Sequence, residues 1–571
     1  MKRNTRVFTL RRVLVLSVLP LVAIALAVLV YASPAQQNAD PQLPPQASSE
    51  AALHAEAHDP VQFDVSPPLR DMPFEAPVAH AARLMPEEEM PEAKRNLKKI
   101  IHRGEPFDDP VLQTSDESLV EATKTISAES LTLKGTALDC SDEAAPADAN
   151  LAVGDTEIVQ WVNLCYAVFS KSTGAALAGP FPGNHFWSGF GGPCQYQNSG
   201  DPVVLYDKMA HRWFASQNTF KAPYMTCIAV SVTSDARGSY YRYAFPQKAG
   251  FPDYPKWGVW RDGYYQHNNV FGGTVGFASE ACAYDRAKML VGNSTAKQIC
   301  FLAPTSFDDS LLPADIDSPN DLPPAGEPEM YLGTISNSSI SDVIYEYLFH
   351  ANFTTPSLST FKGFSGTMPI FVPQFKLSCN GAGDADCIPQ RGTSYKLASE
   401  GDRLMYRLAY RNFGSHQSWV VAHDVTASSG HVAERWYEFR ASETSTRPTV
   451  YQAGTFAGPS GNTNNRWMGS IAMDKVGDIA LGFSVSGTGT YPSIHYTGRT
   501  PSMTKGVMGA EDVIQAGGGS QIGTGGRWGD YTSMALDPNG CTFWYTNEYY
   551  LSTSSFNWRT RIGSIKFPNC N

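Results

Sequence analysis

An all-β propeller, preceded by an export segment and a Pro-rich linker, is the architecture this 571-residue sequence predicts. Three observations predict it. First, all eleven Trp, all ten Cys and all but one of the 48 Gly lie beyond residue 130. The chain after that point is therefore rich in aromatics, β-branched residues and turn formers, the composition of many short strands joined by tight turns. Second, a short strand, an Asp at a turn and a second strand recur along it. Third, another hairpin-like stretch comes after each such pair, and two hairpins make the four-stranded sheet of one propeller blade.

The N-terminus comes first. Lys2, Arg3, Arg6, Arg11 and Arg12 precede an apolar run from Val13 to Val30. This order keeps the basic residues cytoplasmic and exports the chain beyond Tyr31. Residues 1–32 read as a signal peptide cleaved near Ala32, or as a retained inner-membrane anchor spanning residues 13–30. Residues 33–130 hold 18 acidic and 8 basic side chains among Pro, Ala and Gln. Such a stretch buries too little apolar surface to offset its ordering entropy, so a mostly disordered linker is predicted. Acids first and bases last over 86–103 suit a short helix.

The propeller occupies residues 131–571. Its repeats begin near 148, 201, 255, 395, 467 and 530, with an irregular unit near 326–365. Seven blades of about 63 residues result, longer than common propeller repeats, and six blades with one large insertion are the alternative. The ten cysteines fall into neighbouring pairs: Cys140/Cys165, Cys194/Cys227, Cys282/Cys300, Cys379/Cys387 and Cys541/Cys570. In an oxidising compartment these read as local disulfides, although spacing does not fix connectivity.

The stretches GDPVVLYDKMAHRWF, FPDYPKWGVWRDGYY, GDRLMYRLAYRNFG, RWMGSIAMDKVGDIALGFS and RWGDYTSMALDPNGCTFWYTNEYY resemble a widespread, mostly uncharacterised set of exported bacterial propellers. The resemblance covers roughly residues 135–571 and implies fold and export. The turn LDPNGCTFW around Asp537 is loosely similar to the Asp-box of sialidases, with one inserted residue and no leading Ser. The Asp-box is a structural turn, so this resemblance implies propeller architecture without sialidase activity.

Residues just before the inner strands line one mouth of a propeller channel. Here they are Asp148 and Asn150, Asp201, Tyr254 and Lys256, Tyr395 and Lys396, Arg466 and Trp467, and Arg527, Asp530 and Tyr531. Carboxylates, cations and aromatic rings together suit a polar ligand with an apolar face, such as a sugar. Asp201 and Asp530 stand in matching Gly-Asp contexts and are the candidate general acid and base for a glycosidic bond. Their alternative role is to hold the adjoining loop backbone. Arg466 and Arg527 precede Trp467 and Trp528 alike, and either grip a ligand carboxylate or latch adjacent blades. Asn163, Asn218, Asn269, Asn412 and Asn547 are read as strand ends, where Asn binds a sugar or caps a turn. His416 is the candidate for proton transfer.

No HExxH, Walker A or G-x-S-x-G occurs, and no motif requires a cofactor or metal. The net charge of −11 argues against nonspecific nucleic-acid binding. The predicted partner is a polysaccharide or glycan, or alternatively a cell-envelope protein recognised by a non-catalytic scaffold. The predicted location is periplasmic or extracellular.

Overall fold

Strands dominate the computed structural model. It describes residues 53–73, 107–114 and 144–571, except 273–275, 304–308, 335–339, 382–385 and 460, and the backbone alone of 83–84, 123–132, 365 and 380–381. The export segment 1–32, the helix expected over 86–103 and Cys140 lie outside the described residues. Among the described residues, no helix is long and apolar enough to cross a membrane.

The strands form a β-propeller. Among the described residues, seven antiparallel meanders succeed one another, with inner strands Asn150–Val153, Val203–Asp207, Phe251–Val259, Leu312–Ile316, Met405–Asn412, Asn465–Met473 and Ser533–Leu536. Each inner strand touches the next, and the seventh touches the first, closing a ring. The fourth and fifth pair directly, in parallel, through Ala314–Leu408 and Ile316–Tyr410. Neighbouring sheets are glued by aromatics. Between units two and three, the Phe214 ring lies 4.8 Å from Trp257 and 4.7 Å from Tyr264. Burial of one such side chain contributes roughly 2–3 kcal/mol.

A polar clasp repeats around the ring. Near the end of a second strand, a side chain reaches across to the turn that opens the next unit. Asn163 Oδ1 accepts the Asp201 amide (3.0 Å), Asn269 Oδ1 that of Ser310 (3.0 Å), Asp424 that of Met468 (3.1 Å) and Glu548 Oε2 that of Ala147 (3.1 Å). Asn218 and Thr334 donate instead, to the carbonyls of Pro252 (3.4 Å) and Asp402 (2.9 Å). The clasped turns are strained: Asp148, Asp201, Tyr254, Ser310, Glu400 and Met468 all have φ between 47° and 61°. A non-glycine residue there costs of the order of 1 kcal/mol, which the clasp offsets.

Three expectations need correction. The fourth unit begins at Leu312 and the fifth at Met405, not near 326 and 395. Residues 396–397 instead pair with 388–389 as a small hairpin between those units. Asn412 therefore ends an inner strand at the opposite end from the mouth. It bonds the Leu322 carbonyl (2.9 Å), Glu443 (3.1 Å) and the Gly414 amide (2.6 Å). His416 lies in the loop after Asn412, also away from the mouth, with its ring stacked on Phe413.

The stretch expected to be a linker is in part a belt. Gln62–Val65 adds a fifth strand to unit two, and Glu56–His58 adds one to unit three. Thr123–Thr132 supplies the fourth strand of unit seven. Backbone pairing joins these strands to the sheets, with a few apolar anchors such as Phe63 against Tyr243, so composition does not reveal them. Ion pairs fasten the belt. Asp64 takes a bidentate grip from Arg242 at 2.7 and 2.6 Å. Asp109 and Arg435, both buried, meet at 2.7 Å.

Four disulfides pair as expected: Cys194–Cys227, Cys282–Cys300, Cys379–Cys387 and Cys541–Cys570. Cys165 is also disulfide-bonded. At the Asp-box-like turn, Asp537 accepts the Asn539 amide (2.9 Å) and the Trp544 indole N–H (3.1 Å), a structural role.

Removing one partner of a buried ion pair strands the other charge. Asp109→Ala should therefore destabilise the protein by about 3–5 kcal/mol, and urea unfolding monitored by Trp fluorescence checks this.

Candidate functional site at the channel mouth

The sharp turns that open the inner strands aim several side chains at the central axis. Asp148, Asp201 and Asp530 meet there, with oxygens within 4.8 Å of one another. The Asp530 amide donates to Asp148 Oδ1 (2.7 Å), and Asn163 Nδ2 donates to Asp148 Oδ2 (2.7 Å). Asp201 Oδ2 accepts the Tyr254 amide (3.3 Å). The Asp530 carboxylate pairs with Arg527, which also reaches Glu400 at 3.3 Å. Arg403 binds the same Glu400 at 3.2 Å.

Rings and a lysine fill the space between. Tyr254, Tyr406 and Tyr531 form a buried trio. The Lys256 ammonium sits 3.2 Å from the Tyr254 ring centroid and 4.1 Å from that of Tyr531. Cation–π contact of this kind is strongest where water is excluded.

Burial sets the electrostatics. It drives the Asp148 carboxyl well above its ordinary range, and the neighbouring Asp530 and Asp201 charges add to this. Asp201 is raised to about 6 by burial and by Asp530. Burial lowers Lys256 to about 7, against the opposing pull of Asp201 and Asp530. A carboxyl and an amine are thus brought from opposite sides toward neutrality at one spot, as in acid–base sites. The three carboxylates are also spaced to surround a cation, and Lys256 supplies one beside them.

Of the residues read from sequence, Asp148, Asp201, Tyr254, Lys256, Arg527, Asp530 and Tyr531 come together here. Arg466 does not. It binds Glu511 (2.6 Å) and the Ala457 carbonyl (2.8 Å) within unit six. Trp467 is fully buried, its ring 5.8 Å from Trp528. Asn547 bonds Ser484 Oγ (2.9 Å) and the Tyr545 hydroxyl (2.8 Å). Sequence reading missed Glu400, Arg403 and Tyr406. A signal existed: Gly401-Asp402 repeats the Gly-Asp of 200–201 and 529–530.

Beside the cluster lies the inserted hairpin of Ile388–Pro389 and Lys396–Leu397. The Ala398 amide donates to the Gly526 carbonyl (2.9 Å), and Gln390 exchanges two hydrogen bonds with the Gln521 backbone. The tip presents Tyr395, 55% exposed, and Arg391, whose guanidinium lies 4.9 Å from the Tyr491 ring.

No family model matches this chain, and no curated protein matches it. Solved propellers do align. An α-L-arabinanase of Penicillium chrysogenum complexed with arabinobiose covers 79% of this chain and 100% of its own, at TM-score 0.35 and 7% identity. A subtype N11 neuraminidase-like protein of A/flat-faced bat/Peru covers 72% and 98%, at 0.32 and 11%. An endo-arabinase of Bacteroides thetaiotaomicron covers 54% and 95%, at 0.27 and 14%. None of these likenesses bears on the chemistry of the mouth.

The shifted groups make opposite demands on pH. Asp201 favours its protonated form in the fold, so its contribution to stability is full below its unfolded value of 3.8 and lost as pH rises through 6. Lys256 favours its neutral form, so its contribution is full above 10.5 and lost as pH falls through 7. Asp201→Asn removes the first loss. Its stability relative to the unmodified protein should rise by about 2–3 kcal/mol between pH 4 and pH 6.5, read from thermal melts across that range.

Proposed function

We propose that this protein is an exported propeller that binds carbohydrate at its channel mouth. One observation carries the reading: an exposed tyrosine and a ring-stacked arginine stand on a braced hairpin whose base is bonded to Gly526, the neighbour of Arg527 in the charged cluster. Tyr395 offers a face for a sugar ring, and Arg391 offers donors for hydroxyls or carboxylates. The backbone bonds from Gln390 and Ala398 hold the hairpin in place before any ligand arrives, which lowers the entropy cost of binding. Four disulfides and the basic-then-apolar start at residues 2–30 support export to a periplasmic or extracellular location.

A second reading is hydrolysis, with Asp201 as acid and Asp530 as its partner carboxylate. The proximity of the two carboxyls motivates it, since retaining glycosidases also use a close pair. It requires a glycosidic oxygen to reach Asp201, which is only 6% exposed. Binding at the rim requires no such entry and is the conclusion.

A panel of immobilised polysaccharides tests both readings. Tyr395→Ala should weaken the best binder about five- to tenfold while leaving the melting temperature unchanged, because the side chain is exposed. Unchanged affinity in that variant would overturn the rim. Reducing-sugar release abolished by Asp201→Asn would establish cleavage. Binding to an envelope protein with no glycan bound at all would favour a scaffold instead.

A further inference from the structure

A second cavity lies at the outer edge of units two and three, roofed by the belt. Its volume is about 190 Å³, and Glu56, His58, Lys248, Glu280 and the Cys300 end of a disulfide line it. Glu56 and His58 come from the belt strand, which pairs with the outermost strand of unit three at Cys300 and Gln298. Lys248 comes from the connector between the units, and Glu280 from the third strand of unit three.

Glu280 is the anomaly. It is 5% exposed, and among the described residues no cation pairs with it. Its hydrogen-bond partners are neutral: Asn268 Nδ2 donates to it at 3.3 Å, and Gln247 assists. A buried carboxylate without a cation is costly, so such groups are ordinarily paired. Burial, with the Glu56 charge beside it, raises Glu280 to about 7. The lining also holds basic groups, with Glu56 beside one of them. Lys248 Nζ approaches His58 Nδ1 at 3.3 Å, and His58 Nε2 faces Glu56 at 3.6 Å. Burial and Lys248 keep the His58 imidazole below its ordinary value, against the pull of Glu56 and Asp59. Lys248 is exposed.

We infer that this cavity binds a small zwitterion of the α-amino-acid class, its ammonium on Glu280 and Glu56 and its carboxylate on Lys248 and His58. The volume accommodates such a molecule, and the lining carries both complementary groups. A plain amine leaves Lys248 unmatched, and a plain carboxylate leaves Glu280 unmatched. This site is independent of the glycan reading.

Titration calorimetry of the full chain with L-alanine, ethylammonium and acetate tests the assignment. L-alanine should bind saturably and more tightly than either single-charge probe. Glu280→Gln and Lys248→Met should each weaken it about tenfold, the loss expected for one charge-assisted hydrogen bond. Binding should tighten as pH rises from 6 to 8, because Glu280 must shed its proton, and Glu280→Gln should flatten that profile. Lys248 is on the surface, so its variant keeps the test decisive if Glu280→Gln does not fold. Absence of saturable binding, equal binding of ethylammonium, or indifference to Lys248→Met would each overturn the site.

Discussion

At six of the seven junctions of this propeller, a polar side chain near the end of a second strand holds one unit to the next. This clasp is the constraint on which the rest depends. It fixes a turn whose central residue adopts a left-handed conformation, and that conformation aims the succeeding side chains inward. Where Asn163 holds the Asp201 amide, the Asp201 carboxyl is free to face Asp148 and Asp530. The mouth is therefore a product of ring closure: its chemistry exists only where all the turns are held together.

The axis below the mouth is filled rather than open. Arg407 grips Asp317 at 2.5 and 2.9 Å and Asp315 at 3.0 Å, and Lys208 joins Asp317 from across the ring at 3.1 Å. Paired charges inside a closed ring are costly to desolvate and costly to break. They tie units two, four and five together and separate the two faces. Further carboxyls lie buried between the sheets. Asp424 and Glu434 share one buried site, and burial raises both well above the ordinary carboxylate range, as it does Glu548. Such groups favour their protonated forms in the folded state, which makes it tolerant of mild acid.

Much of this was legible in the sequence. The alternation of small, apolar and aromatic residues marks units one, two, three, six and seven, and the residues before their inner strands include most of the mouth. The fourth unit was misplaced because Leu312–Ile316 carries neither the Gly-Asp lead nor a tryptophan. The fifth unit is displaced because the inserted hairpin strand at 396–397 stands where an inner strand is expected, which makes Met405–Asn412 look like a second strand and turns Asn412 end for end. Arg466 and Arg527 share a local motif, yet their surroundings differ: Glu511 captures the first, and Glu400, carried by the insertion, captures the second. Local similarity cannot encode a partner that arrives from elsewhere in the chain. The belt was hidden for a related reason. Its strands pair through backbone amides, which nearly every residue possesses.

The belt also imposes an order on the birth of the molecule. Thr123–Thr132 completes a sheet whose neighbouring strand, Trp558–Lys566, is synthesised long after it. More than four hundred residues separate the two. Until that strand emerges, the seventh sheet has an open edge and the ring has a gap, so contacts that span the gap cannot form. Closure of such distant contacts is slow and comes late. The nascent propeller is thus held short of its final fold until Trp558–Lys566 is made, a timer written into the connectivity rather than into any single residue.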